Sequence, residues 1–268
     1  MRAIARTGAR AAAAAAAAGL SVAGGLAACQ GASEKRSFEA CEAIGDGFRA
    51  AVWAKRHENI TVLEPENDQI GRLLTALRDR RTTGADFRQI ADRLMSLLFE
   101  LALASVDTDE VTVTTPEGYG YTGTMPFLSR SVVAVVSKDD ASILAEALRR
   151  TMGDVEVCKV TCDDTSKAVT DSSSLPADLS ERDLVLVLVP VMNDHHRCEH
   201  LVEALTQRGV DAGSIVVVAL TMSPDVADKL SKIEGGAIGV VSATIDSGVD
   251  HRGFLMPGLG VFHERYGE

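Results

Sequence analysis

Valine-rich runs in the second half of the chain constrain its fold more than any other feature. They are "SVVAVV" (131–136), "VEVCKVT" (155–161), "DLVLVLVPV" (183–191), "SIVVVALTM" (214–222) and "AIGVVSATI" (237–245). A strand that is apolar at successive positions is buried on both faces, and β-branched side chains suit that environment. The intervening segments "DASILAEALRRTM", "CEHLVEALTQRGV" and "PDVADKLSKI" carry their apolar residues at helical spacing. Strand and helix alternating in this way predict an α/β fold, a central parallel sheet flanked by helices on both faces. Its ligand crevice is expected beyond the carboxyl ends of the strands. Apolar residues make up 46% of the 268 positions but aromatic ones only 4%. The core must therefore be built from Val, Leu, Ile and Ala. The length allows one large α/β domain with a leader, or two small domains.

Upstream, "ITVL" (60–63) predicts a short strand ended by Pro65. Ile70, Leu73, Leu74 and Leu77 predict a helix over 68–80. A second helix follows, with Thr83 or Asp86 as its cap and a stripe of Phe87, Ile90, Leu94, Leu97, Leu98 and Leu101. "VTVTTPEGYGYTGTMPFL" then changes to a period of two with turn glycines, the pattern of a hairpin. Residues 162–174 read as a polar loop, and 237–245 as the last strand. Phe38, Cys41, Ile44, Phe48 and Val52 give residues 34–59 the look of a short helix or ordered linker.

The net charge is −11, unevenly spread. Residues 1–33 carry Arg2, Arg6 and Arg10 and no acid, so the remaining 24 basic residues face all 38 acidic ones. A body this acidic repels phosphate backbones, which excludes nucleic acid as the main ligand. Cys29, Cys41, Cys158, Cys162 and Cys198 are odd in number and irregular in spacing, so a disulfide scaffold is not expected and a reducing compartment fits better. The alanine-rich, acid-free stretch with spaced arginines predicts a leader for import into a mitochondrion, with a plastid as the alternative. "LAAC" (26–29) also matches a bacterial lipoprotein box, and a low-complexity alanine tract is the bland reading. This segment is too weakly apolar to span a bilayer, and no transmembrane segment is expected elsewhere.

The C-terminal "SATIDSGVDHRGFLMPGLGVFHERYGE" resembles the closing segment of uracil phosphoribosyltransferases. Ala243, Thr244, Ile245 and Asp246 match its Ala-Ile-Asp. Gly253, Phe254, Leu255, Met256, Pro257, Gly258, Leu259 and Gly260 match its Gly-Tyr-Ile-Val-Pro-Gly-Leu-Gly, and Arg265, Tyr266 and Gly267 its end. "LLTALRDRRTTGADFRQIADRLMSLLFELA", "VTVTTPEG", "LPADLSERDLVLVL", "LTQRGV" and "SIVVVALTMSPDVADKL" extend the resemblance over 60–268. It implies a phosphoribosyltransferase-like domain there, with a small hood and hairpin, joining uracil to 5-phosphoribosyl 1-diphosphate to give UMP.

The resemblance also implies where donor chemistry should sit, and there this chain departs. Aligned from Arg208 and Gly209, the family's acidic position falls on Val189, and its proline is kept as Pro190. The Ala-Thr-Gly-Gly-Ser phosphate loop falls on Asn193, Asp194, His195, His196 and Arg197. Such a loop needs glycines so that backbone N–H groups can approach phosphate. Its diphosphate-binding Arg-Ala-Gly falls on Asp139, Asp140 and Ala141, and a family arginine is replaced by Cys162. Lys138 stands nearby but lacks the bidentate fork of arginine. On the uracil side, residues 254–260 keep the family's turn, while Val261 and His263 replace an aspartate and a glycine.

Other constellations have competing readings. His196, Cys198 and His200 are candidate metal ligands, against a solvated helix N-terminus with Cys198 tucked against the sheet. His263 with Glu264 is an acid–base pair or a surface tail. Asp139 with Asp140, and Asp163 with Asp164, are Mg²⁺ ligands or solvated caps. Cys158 and Cys162 are one core and one loop thiol rather than a redox pair. The expected function is a catalytically degenerate relative serving as a structural or interaction subunit of an organellar assembly such as a ribosome or respiratory complex. The alternatives are an active transferase of pyrimidine salvage and a uracil- or nucleotide-binding regulatory module. No cofactor is expected, with Mg²⁺ only if the chain is active. The expected partners are proteins of a larger assembly, or a second copy in a homodimer.

Overall fold

The computed structural model describes residues 57–267, except 65–66, 105–107, 127–131, 154, 164–165, 181 and 183. The expected leader, Cys29, Cys41 and the expected linker up to residue 56 lie outside the described residues. The chain opens with β1 (Ile60–Val62), α1 (Asp68–Arg78) and α2 (Gly84–Leu103). The hairpin forms from β2 (Thr108–Thr114) and β3 (Gly120–Pro126). Then come β4 (Val132–Ser137), α3 (Ala141–Met152), β5 (Glu156–Cys162), β6 (Val169–Asp171), β7 (Leu184–Leu188) and β8 (Val191–Met192). The last third holds α4 (His196–Thr206), β9 (Ile215–Met222), α5 (Pro224–Leu230), β10 (Gly239–Ile245), β11 (Gly248–Val249), β12 (Leu255–Met256) and α6 (Phe262–Gly267).

The main sheet has the order β1-β10-β9-β7-β4-β5-β6, with β8 beside β9. Pairing is parallel from β1 through to β5, and β6 adds antiparallel to β5. This is the α/β architecture that the valine runs predict. From β4 the chain winds outward to β5, and from β7 it winds the other way through β9 to β10. The topological switch point, where α/β sheets open a crevice, therefore lies between β4 and β7.

Alternation along each strand feeds two cores. Ala134, Val136, Leu184, Leu186, Leu188, Val218 and Leu220 face α1, α2, α3 and the Phe262 and Tyr266 side chains of α6. Val133, Val135, Val185, Val187, Val217 and Ala219 face α4 and α5. Local chemistry sets several ends. Asn67 caps α1 by accepting from the Gln69 N–H, and Ser223 caps α5 from its Oγ with Pro224 in the first turn. Thr83 occupies the N-cap of α2 without a side-chain cap bond.

Several expectations need correction. The strand expected over 183–191 is broken at Pro190, which has no N–H to give the ladder, and resumes as β8. The polar loop expected over 162–174 contains β6, too short to show a period. Residues 237–245 do not end the strands: β11 and β12 pair as a small ribbon, and the expected surface tail at His263 and Glu264 is part of α6. Helix α4 begins at His196, two residues earlier than "CEHL" indicates. Among the described residues, no helix is long and apolar enough to cross a membrane.

Candidate functional site

Because β4, β5, β7, β9 and β10 are parallel, the residues that follow them collect at one edge. Asp139, Asp140 and Ala141 lead into α3 on one side of the switch point. Residues 193–197 lead into α4 on the other. Both candidate donor loops are thus neighbours across the crevice.

The α4 side is closed by its own side chains. Val189 is 6% exposed and packs in the core, leaving no carboxylate at its position. Asp194 Oδ1 accepts the His196 N–H at 2.7 Å, so a carboxylate takes a first-turn amide that an anion would need. His195 occupies the N-cap position without a cap bond of its own. Asn193 Nδ2 donates to Gly253 O at 2.8 Å, tying this loop to the β11–β12 ribbon.

Across the crevice, Asp140 is partly buried at the N-cap of α3 without a cap bond. Burial pushes its carboxyl above the ordinary range, against the pull of Arg197 and His263 and with help from Asp139. The positive charge facing this carboxylate is therefore the chain's own. Arg197 also opposes the upward shift that burial imposes on the Cys162 thiol. Arg197 and His263, from separate segments, thus both act electrostatically on Asp140. The Asp139 and Asp140 carboxylates stand where the family resemblance places an arginine fork.

The turn over residues 254–260 is held by specific contacts. Asp246, 2% exposed, pairs with Arg78 Nη2 at 2.5 Å through Oδ1 and accepts the Gly258 N–H at 3.1 Å through Oδ2. The Met256–Pro257 peptide is cis. Gly258 has φ +65°, and a Cβ there would stand 2.3 Å from Leu255 O, so only glycine fits. Phe254 and Met256 are exposed, and Leu255 is buried. A cavity of about 350 Å³ lies between residues 257–260 and the side chains of Arg78, Arg80, Thr83 and Arg265. Arg265 is held from four directions: Nη1 donates to Leu77 O and Leu259 O, and Nη2 to Asp79 O and Thr82 O, at 2.6–2.8 Å. Sequence reasoning named Thr83 only as a helix cap and did not single out Arg78 or Arg80. The available signal was an arginine closing an amphipathic helix ahead of a second capped one.

The candidate metal set His196, Cys198 and His200 is not brought together. Cys198 is fully buried with Sγ 3.3 Å from Met192 Sδ, because its helix face packs on the sheet. His200 lies a turn further on, 3.9 Å from Glu203. The groups that do converge are Asp194, His195 and His196. Cys158 is buried and Cys162 half-buried, and both are free thiols.

Residues 64–266 match the family model described as uracil phosphoribosyltransferase. The chain belongs to the uracil phosphoribosyltransferase family. A uracil phosphoribosyltransferase of Dictyostelium discoideum is 31% identical over 216 residues, spanning 78% of this chain and 96% of its own. One from Streptomyces coelicolor is 31% identical, spanning 70% and 88%. A uracil phosphoribosyltransferase homolog of Danio rerio is 29% identical, spanning 72% and 76%. Among solved structures, an Aquifex aeolicus protein superposes with a TM-score of 0.64 at 16% identity, covering 77% of this chain and 96% of that one. That likeness is one of fold.

Proposed function

We propose that this chain is a family member that has lost donor binding, keeps the uracil-side turn, and works through contacts rather than turnover. The observation that carries this reading is the Asp194 carboxylate seated on the His196 amide. Transfer of a phosphoribosyl group requires its phosphates to be held while positive charge develops at the sugar carbon. Two like charges about 4 Å apart repel by about 4 kcal/mol at an effective dielectric of about 20. That corresponds to about a thousandfold in affinity for one unit charge, and Asp139 and Asp140 oppose the diphosphate as well. Substitution on both sides of the crevice, with the scaffold around it intact, supports a selected role other than catalysis. The role is that of a subunit in a larger protein assembly, in a mitochondrion, as the spaced arginines of residues 1–33 support.

A second reading, an active enzyme making UMP from uracil and 5-phosphoribosyl 1-diphosphate, is favoured by the relatives. The Dictyostelium and Streptomyces proteins bear that name and align over most of their length. The full chain incubated with labelled uracil, 5-phosphoribosyl 1-diphosphate and Mg²⁺ separates the two readings. The expected outcome is no UMP and no saturable binding of the donor at millimolar concentration. UMP formation above a chain-free control overturns the proposal in favour of the enzyme.

A further inference from the structure

Two imidazoles and one carboxylate stand together at the start of α4, and a second carboxylate reaches the imidazoles from one turn along. Ligand atoms of Asp194, His195 and His196 all lie within 4.8 Å of one another. One turn along, Glu199 Oε2 is 3.8 Å from His195 Nε2 and 3.6 Å from His196 Nδ1. Donors bound to a tetrahedral zinc at about 2.0–2.2 Å stand roughly 3.3–3.6 Å apart. The Glu199–imidazole separations thus need to close by only a few tenths of an ångström. The two rings are already gathered, with centroids 4.1 Å apart.

Asp194 is oriented by a bond it makes for another reason. Its Oδ1 is engaged by the His196 amide, which fixes the carboxylate and leaves Oδ2 for a cation. With both imidazoles neutral, the cluster carries two negative charges from Asp194 and Glu199, the charge a dication neutralises. The rings are accessible, His195 24% and His196 58% exposed, so a metal can reach them.

We propose that Asp194, His195, His196 and Glu199 form a binding site for Zn²⁺ or a similar first-row dication. The donor set has two nitrogens and two oxygens and no thiolate, since Cys198 is turned into the core. Imidazole nitrogen suits zinc, nickel and copper, whereas magnesium takes oxygen and water. This is a different chemistry from a magnesium ion carried on a diphosphate. It does not depend on whether the chain turns over substrate.

The test is titration of the metal-free, untagged full chain with Zn²⁺ by calorimetry and with Co²⁺ by absorbance. One equivalent is expected to bind, with Co²⁺ giving d–d bands and no thiolate charge-transfer band. His195→Ala with His196→Ala should weaken binding by at least about tenfold, and Glu199→Gln should weaken it with the fold unperturbed. His200→Ala, on the neighbouring turn, should leave it unchanged. Absence of one-equivalent binding overturns the proposal. So does binding that survives the double variant, or a strong thiolate band, which would place the metal on cysteine.

Discussion

Replacing Arg265 by alanine removes the contact that joins the C-terminal helix to the other wall of the cavity. Its guanidinium donates to the carbonyls of Leu77, Asp79, Thr82 and Leu259, and its Cζ lies 4.3 Å from the Phe87 ring centre. Hydrogen bonds from a charged donor contribute about 1.5–3 kcal/mol each, so a plain sum is about 6–12 kcal/mol. That sum is too large, because Arg265 is only partly buried and water would reach some of the vacated carbonyls. With about half of the sum recovered by water, a net loss of about 3–5 kcal/mol is expected. A contribution of up to about 1 kcal/mol from the Phe87 face falls within that range. For a domain of this size each kcal/mol moves Tm by about 2–4 °C, so a fall of roughly 6–20 °C is expected. Arg265→Lys keeps the charge but not the fork, and should recover less than half of the loss. Scanning calorimetry of the three proteins under one buffer is the assay. A Tm within about 2 °C of the parent for Arg265→Ala would refute the reasoning, because the four bonds would then contribute nothing net.

Gly258→Ala should lower the urea midpoint by the equivalent of about 2–4 kcal/mol with the m-value unchanged, since the new Cβ meets Leu255 O at φ +65°; an unaltered midpoint would show that the turn yields. Burial pushes the Cys198 thiol from 9.0 up to about 12, and burial, with Glu156 adding, pushes Cys158 up to about 11. The folded state keeps these thiols protonated where the unfolded state ionises, so their contribution is present below pH 9 and lost as the pH rises towards 11–12. Urea midpoints should accordingly fall between pH 8.5 and 11, and fall less in Cys198→Ala; identical slopes would contradict the assignment.

Much of the architecture was legible because burial leaves a period in the sequence. A run such as Leu184–Leu188 is apolar at each position because both its faces are covered. The helices α1 and α2 show their stripes because one face of each is covered. Short strands leave little trace: the three-residue β1 was marked by its run of apolar residues before Pro65, whereas β6 and the β11–β12 ribbon, set among polar and glycine residues, escaped notice, and β8 was merged into the strand before it. Pro190 did carry a signal, since a proline cannot sit inside a ladder, yet the flanking valines outweighed it. At the candidate site, the register from Arg208 and Gly209 identified the loop positions. The inward turn of Cys198 against the sheet was among the readings the sequence offered, but it could not say that Asp194 would bond the His196 amide.

By itself, then, the sequence determined a parallel α/β sheet, its hairpin, and which side chains occupy the two loops at the switch point. The sheet and the hairpin follow from interactions within a few residues, where the period of burial and the identities of turns are written along the chain, whereas the loop positions follow from the family resemblance. Only the tertiary structure decided which of those side chains face each other. Arg197 and His263 act on the Asp140 carboxylate from segments 57 and 123 residues away, a proximity set by the fold and not by the local sequence. Arg265 meets Leu77 across 188 residues for the same reason. A pairing over that distance leaves no local pattern, because its partners are chosen by the order and direction of the strands and not by their neighbours in sequence.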